Sequence, residues 1–236
     1  MSNAEINPQV NGILLIDKPS GITSHDAVDF LRRRFKLAKV GHCGTLDPIA
    51  TGILVMLLGD ATKMSSQYLN DDKKYQCTMK LGISTDTQDA EGNITSQCKP
   101  DNITDEEIIN AINSFKGESQ QIPPMVSAKH YKGTRLYKLA RKGVEIKREP
   151  NAICVYDIEI LSVNKPFAEF IMRSSKGTYI RTLCHDIGEK LGCGAHMHAL
   201  RRLASGNFKV ENAHKLEDLD TLDIEGLKKF IIVAEP

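Results

Sequence analysis

The sequence predicts an α+β fold built on a mixed, largely antiparallel central sheet flanked by helices. Three observations lead there. Apolar or alternating segments of strand length recur, as in Gly12–Asp17, Ile53–Leu58 and Phe167–Ser174. Helical segments with apolar positions at a 3.6-residue spacing lie among them. The two kinds do not alternate with the regularity of βαβ units, so a doubly wound parallel sheet is not expected.

Taken in order, Gly12–Asp17 reads as a strand ended by Lys18-Pro19-Ser20-Gly21. Ser24 is the expected cap of a helix whose buried stripe is Ala27, Val28, Leu31 and Phe35. Gly41–Gly52 carries three glycines and a proline, and reads as a loop feeding the apolar strand Ile53–Leu58. Asp60 is expected to cap a short helix through Leu69, and Lys73–Ile83 alternates as a strand with Tyr75, Cys77, Met79 and Leu81 on one face. A turn at Gly92-Asn93 leads to a short strand near Ile94. Thr104-Asp105-Glu106-Glu107 is a capping box for a helix through Phe115, stopped near Gly117. Gln120–Pro150 reads as a basic insertion with one short helix, Thr134–Lys142. Ala152–Val163 and Phe167–Ser174 read as paired strands. Gly177-Thr178 is expected to cap a helix to Leu191, followed by a strand over Ala195–Phe208 and a short helix at Ile224–Phe230.

The net charge of +1 conceals segregation: Lys129–Arg148 holds eight Lys or Arg against one acid, and Arg32, Arg33, Arg34, Lys36 and Lys39 form a second cluster. Such clusters build either a basic face for nucleic acid or ordinary solvated helix faces. Six cysteines without a CxxC pair, behind a polar amino terminus, predict reduced thiols in the cytoplasm and no disulfide framework. The longest apolar run has six residues, far short of a membrane span. Cys193, His196 and His198 match no standard zinc spacing, and no metal is expected there. No nucleotide-binding or Ser-His-Asp pattern appears.

Asp47 is the only acid of the Gly41–Gly52 loop. By itself an Asp-Pro pair most often closes a turn. A rigid loop ahead of a buried strand is also a place to hold one carboxylate at a cleft floor. Cys43 beside His42 is more plausibly a small buried thiol than a nucleophile. Arg181 falls in the first turn of its helix, where the dipole disfavours a cation. A carboxylate such as Asp47, a bound phosphate or an exposed salt bridge could each account for it. Tyr75 suits either the core or a platform for an extruded base.

Several of these segments together resemble the TruB family of tRNA pseudouridine synthases over nearly the whole chain. The resemblance rests on Gly12–Ser24, on His42–Gly52, and on Lys74-Tyr75 with Thr85-Asp86-Thr87 and Asp89–Gly92. It continues in Gln121–Pro124 with Ser127-Ala128-Lys129, in Lys176–Arg181, in Gly188–His196 and in Leu200-Arg201-Arg202. It implies a pseudouridine-synthase-type catalytic domain over residues 1–210, with an RNA-binding insertion at about 119–150. It implies isomerisation of uridine to pseudouridine at position 55 in the T-loop of tRNA, without cofactor or metal. Asp47 would be the nucleophile toward a flipped-out base. Tyr75 would stack on that base and assist proton removal, and Arg181 would pair with Asp47 and fill the vacated space. His42, Tyr179, Leu200, Lys18 and Lys129 would contact the substrate. Residues 211–236 form a short tail, too few for the carboxy-terminal PUA domain of many relatives. The expected partner is the T-stem-loop of tRNA, bound by a monomer. A non-catalytic RNA-folding chaperone and a synthase for another structured or guided RNA are the rival readings.

Overall fold

The computed structural model describes residues 10–125, 127, 130–131, 134–135, 144 and 146–234. They form two compact units, one drawn from the residues up to Lys73 together with those from Arg201 on, the other from Lys74–Leu200.

In the first unit, β1 (Gly12–Lys18) lies antiparallel to β3 (Thr51–Leu58) over its whole length. That pairing takes one edge of β3. The opposite edge is shared by β2 (Val40–Cys43), antiparallel on Val55–Leu58, and by the end of β12 (Ala195–Ser205), parallel on Thr51 and Gly52. Residues 44–50 leave β2 and enter β3 between these two partners. Helix α1 (Ser24–Phe35) buries Ala27, Val28, Leu31 and Phe35, the predicted stripe. Its cap is Thr23 rather than Ser24: Thr23 accepts from the Asp26 N–H, and the Asp26 carboxylate accepts from Thr23 in return. That reciprocal box releases Ser24 for another bond, described below. β3 is buried on both faces, Ile53, Val55 and Leu57 packing with Ile13, Leu15, Cys43 and Ala61.

A 3₁₀ turn, Gly59–Met64, precedes α2 (Ser65–Leu69). Asp60 does not cap it; its carboxylate pairs with Lys63 at 2.8 Å. β12 stops at Ser205, and a turn at Gly206-Asn207 returns the chain as β13, Phe208–Lys209. The predicted strand to Phe208 is therefore a hairpin. β14 (His214–Lys215) adds parallel to β1, followed by α5 (Leu216–Asp220), which sequence periodicity did not indicate, and α6 (Ile224–Lys228).

Gly52 has φ +102°, and a Cβ there would collide with the Arg202 backbone across the β3–β12 pair. Gly52→Ala is expected to destabilise the protein by about 3 kcal/mol or more, read from the urea midpoint. A shift below about 1 kcal/mol would show that β12 separates from β3 at little cost.

The second unit has the strand order β12, β4 (Lys73–Leu81), β11 (Phe167–Ser174), β10 (Asn151–Asn164), β7 (Gly117–Gln121). β10 runs antiparallel to both β11 and β7, as expected for the first pair. Tyr75, Cys77, Met79 and Leu81 share a face as phased, with the last three buried. The strand ends at Leu81 because Gly82, at φ +84°, turns the chain into β5 (Ile83–Thr85), which pairs with β6 (Ile94–Gln97). Helix α3 (Asp105–Asn113) carries the predicted Thr104–Glu107 box. β8 (His130–Tyr131) pairs with β9 (Thr134–Arg135), so Thr134 opens a strand and not a helix. Lys129 and residues 136–143 lie outside the described residues. Helix α4 (Ile180–Leu191) begins at an N-cap Tyr179, later than the Gly177-Thr178 start expected, because Thr178 Oγ1 turns back to the Ser175 carbonyl. No helix among the described residues is long and apolar enough to cross a membrane.

Candidate active site

In the first unit, the backbone on both sides of Asp47 is held at almost every residue. Arg202 is 1% exposed; its Nε donates to the Ile53 carbonyl at 2.7 Å and an Nη to the Gly44 carbonyl at 3.1 Å. It thus joins the two ends of the loop. Ser24 Oγ, released from capping, donates to the Leu46 carbonyl and accepts from the Leu46 N–H. Lys18 is fully buried, with Nζ on the carbonyls of Pro19, Ile22 and Pro48. Gly21 N–H also donates to Pro48, and Ser20 Oγ to Ile49. Asp47 is half-buried on this fixed frame. Buried cations are retained only where polar partners replace water, and here backbone carbonyls do so. His42 lies on β2 opposite Met56.

Two further groups line this frame. Lys73 donates to the carbonyls of Tyr68, Leu69 and Asp71, closing the end of α2; burial, with Arg202 nearby, lowers its pKa. Cys43 is fully buried, and burial pushes its thiol up to about 11. At pH 8 it is therefore protonated and unreactive. Native alkylation with iodoacetamide is expected to label exposed Cys98 and spare Cys43, as read by peptide mass spectrometry. Equal labelling of both would restore Cys43 as a nucleophile.

In the second unit, Tyr179 and Arg181 sit together at the start of α4. Arg181 is 3% exposed, and its Nη1 donates to the Thr87 carbonyl at 3.0 Å and pairs with Asp89 Oδ2 at 3.4 Å. Asp89 is itself buried and accepts from Thr87 Oγ1 and the Glu91 N–H. This carboxylate offsets a cation that the helix dipole opposes. Next to it, Thr182 Oγ1 donates to Gln88 Oε1, whose residue holds φ +65°. Tyr75, half-buried on β4, and Leu200, 8% exposed on β12, lie on neighbouring strands.

The basic clusters divide. Arg34 is tied to α5 and its exit, donating to the Asp220 carboxylate and carbonyl and to the Leu222 carbonyl. Arg32 and Arg33 remain exposed. His196 Nδ1 lies 2.9 Å from the Ile83 carbonyl, and burial raises the Cys193 thiol. No group of three His, Cys, Asp or Glu side chains among the described residues is placed to hold a metal.

Sequence reading missed Asp89, Gln121 and Arg202 as supports. Only Arg202 left a signal. Two consecutive arginines on a strand point to opposite faces, so one of them must enter the interior.

This fold is that of an RNA pseudouridine synthase, an isomerase. Residues 32–180 match the model of the TruB family pseudouridylate synthase amino-terminal domain, and residues 181–232 that of the tRNA pseudouridylate synthase B C-terminal domain. The tRNA pseudouridine synthase B of Clostridium tetani is 50% identical over 226 residues, 96% of this chain and 77% of that relative. That of Opitutus terrae is 44% identical over 224 residues, 95% of this chain and 93% of the relative. Among solved structures, a Cbf5-Nop10-Gar1 complex includes a chain with a TM-score of 0.73 and 32% identity, covering 98% of this chain and 67% of that one. The chain belongs to the TruB family of pseudouridylate synthases.

Proposed function

We propose that the protein converts uridine to pseudouridine at position 55 in the T-loop of tRNA, with Asp47 as the nucleophile. The observation that carries this is the loop's frame: Arg202, Ser24, Lys18, Gly21 and Ser20 fix the backbone around one half-buried carboxylate. Preorganised groups of this kind lower the reorganisation needed in the reaction. The tRNA substrate follows from curated relatives near half identity, which are tRNA pseudouridine synthases.

In this reading the target uridine is flipped out of its loop, at a cost of a few kcal/mol. Asp47 attacks C1′ of the ribose or C6 of the ring, and the N1–C1′ bond breaks. The base rotates, C5 bonds to C1′, the bond to Asp47 breaks and returns the free carboxylate, the C5 proton leaves to solvent and N1 gains one. The isomerisation consumes no redox equivalents, so it needs no redox cofactor. Tyr75 stacks on the base and assists loss of the C5 proton. Arg181 fills the space the base vacates, His42 supports the flipped conformation, and Leu200, Tyr179 and Lys129 contact the substrate. Lys18 acts from beneath the loop. Residues 1–210 supply the chemistry, and the insertion at about 119–150 grips the RNA. The protein works as a monomer in the cytoplasm.

The test is tritium release from tRNA labelled at C5 of uridine. One equivalent per tRNA is expected from wild-type protein, and none from tRNA carrying cytidine at position 55. Tight binding without any release would leave an RNA-folding chaperone. Release that persists from the cytidine-55 tRNA would assign another site.

A further inference from the structure

The three longest helices among the described residues are capped unequally. α1 and α3 each begin with a complete box, Thr23 with Asp26 and Thr104 with Glu107. α4 begins at Tyr179, whose side chain makes no cap bond, and its third residue, Thr182, is committed to Gln88. A tyrosine at this position forgoes about 1 kcal/mol relative to Ser, Thr or Asp. The missing partner comes from 58 residues away. The Tyr179 N–H donates to Gln121 Oε1 at 2.8 Å, and Gln121 Nε2 donates to the Tyr179 carbonyl at 3.0 Å. That carbonyl also accepts the Leu183 N–H, closing the first turn of α4. Gln121 is 3% exposed and is the last residue of β7, immediately before Ile122-Pro123-Pro124. The Pro123 carbonyl is held in turn by Arg148 at 3.1 Å.

We propose that Gln121 is a positioning residue: its carboxamide serves as the external cap of α4 and sets the placement of Tyr179 and Arg181. The arrangement frees the N-cap position for a tyrosine side chain, which a self-capped helix could not carry there. It also ties the start of α4 to the strand that leads into the basic insertion. The catalytic consequence rests on the function proposed above; the capping itself does not.

Two variants separate the possibilities. Gln121→Met keeps the length and loses both bonds. Gln121→Glu keeps the shape, but its carboxylate cannot donate to the Tyr179 carbonyl and is repelled by it. The repulsion and burial raise that carboxyl above its ordinary value of about 4.3. Once protonated, it again donates and accepts as the amide does. The Gln121→Glu rate relative to wild type is therefore expected to rise as pH falls from about 8 to about 5.5. Gln121→Met should stay slow throughout.

The first readout is hydrogen exchange in a peptide covering Tyr179–Leu183, which needs no activity. Faster exchange in Gln121→Met, with the box-capped start of α3 unchanged, is the expected result. The second is single-turnover tritium release at saturating tRNA, expected to fall about 10–100-fold with tRNA affinity within about twofold. Unchanged exchange in Gln121→Met overturns the cap. A loss confined to tRNA affinity, or a flat pH ratio for Gln121→Glu, overturns positioning. Wild-type protein that releases no tritium would sink the assigned reaction and leave the exchange result to decide the cap.

Discussion

Asp47→Asn protein is expected to bind tRNA as wild type does and to release no tritium, a loss of about 10⁴-fold or more. Asn has the shape of Asp and accepts through the same oxygen, but its amide is not a nucleophile. The frame under the loop survives the change, because its bonds go to the backbone of Gly44, Leu46, Pro48 and Ile49. Stability should therefore shift by less than about 1 kcal/mol. The check combines tritium release, filter binding and thermal unfolding on one preparation. Residual turnover within about tenfold of wild type would remove Asp47 as the nucleophile.

Asp89→Ala should cost both stability and rate. It removes a buried carboxylate that holds Arg181 and accepts from Thr87 and Glu91. Breaking a buried pair from one side costs about 3–5 kcal/mol, since the remaining charge is left poorly solvated. For a chain of this size that lowers Tm by about 6–20 °C. Asp89→Asn should be milder for folding, because it can still accept from Thr87 and Glu91, yet it leaves the Arg181 charge without this counterion. A double-mutant cycle of Asp89→Asn with Arg181→Met, read by urea unfolding, should give a coupling of about 1–3 kcal/mol. Additive effects would show that the 3.4 Å pair contributes nothing of its own.

Much of the frame was legible because it is local. The 3.6 and 2.0 repeats depend on neighbours within a few residues, and they placed α1, α3, β1, β3 and the inward face of β4. Boundaries were misread where two residues competed for one task. Thr23 and Ser24 both suit a cap, and Asp26 decides for Thr23 because only Thr23 stands three residues before it. Likewise Thr178 could cap α4, but its hydroxyl is spent on Ser175. β2 and β7 were missed because glycines and polar residues hide edge strands that need few apolar side chains.

By itself, the sequence determined most of the elements, the glycine and proline loop with its single acid, and the family resemblance carried by those motifs. Tertiary structure alone decided what holds each functional candidate: Arg202 across the ends of the Asp47 loop, Asp89 on Arg181, Gln121 on Tyr179. These partners come from distant strands and loops, brought together by sheet register and loop closure. No repeat in the chain encodes a register, so no pattern of spacing could have named the contacts they make.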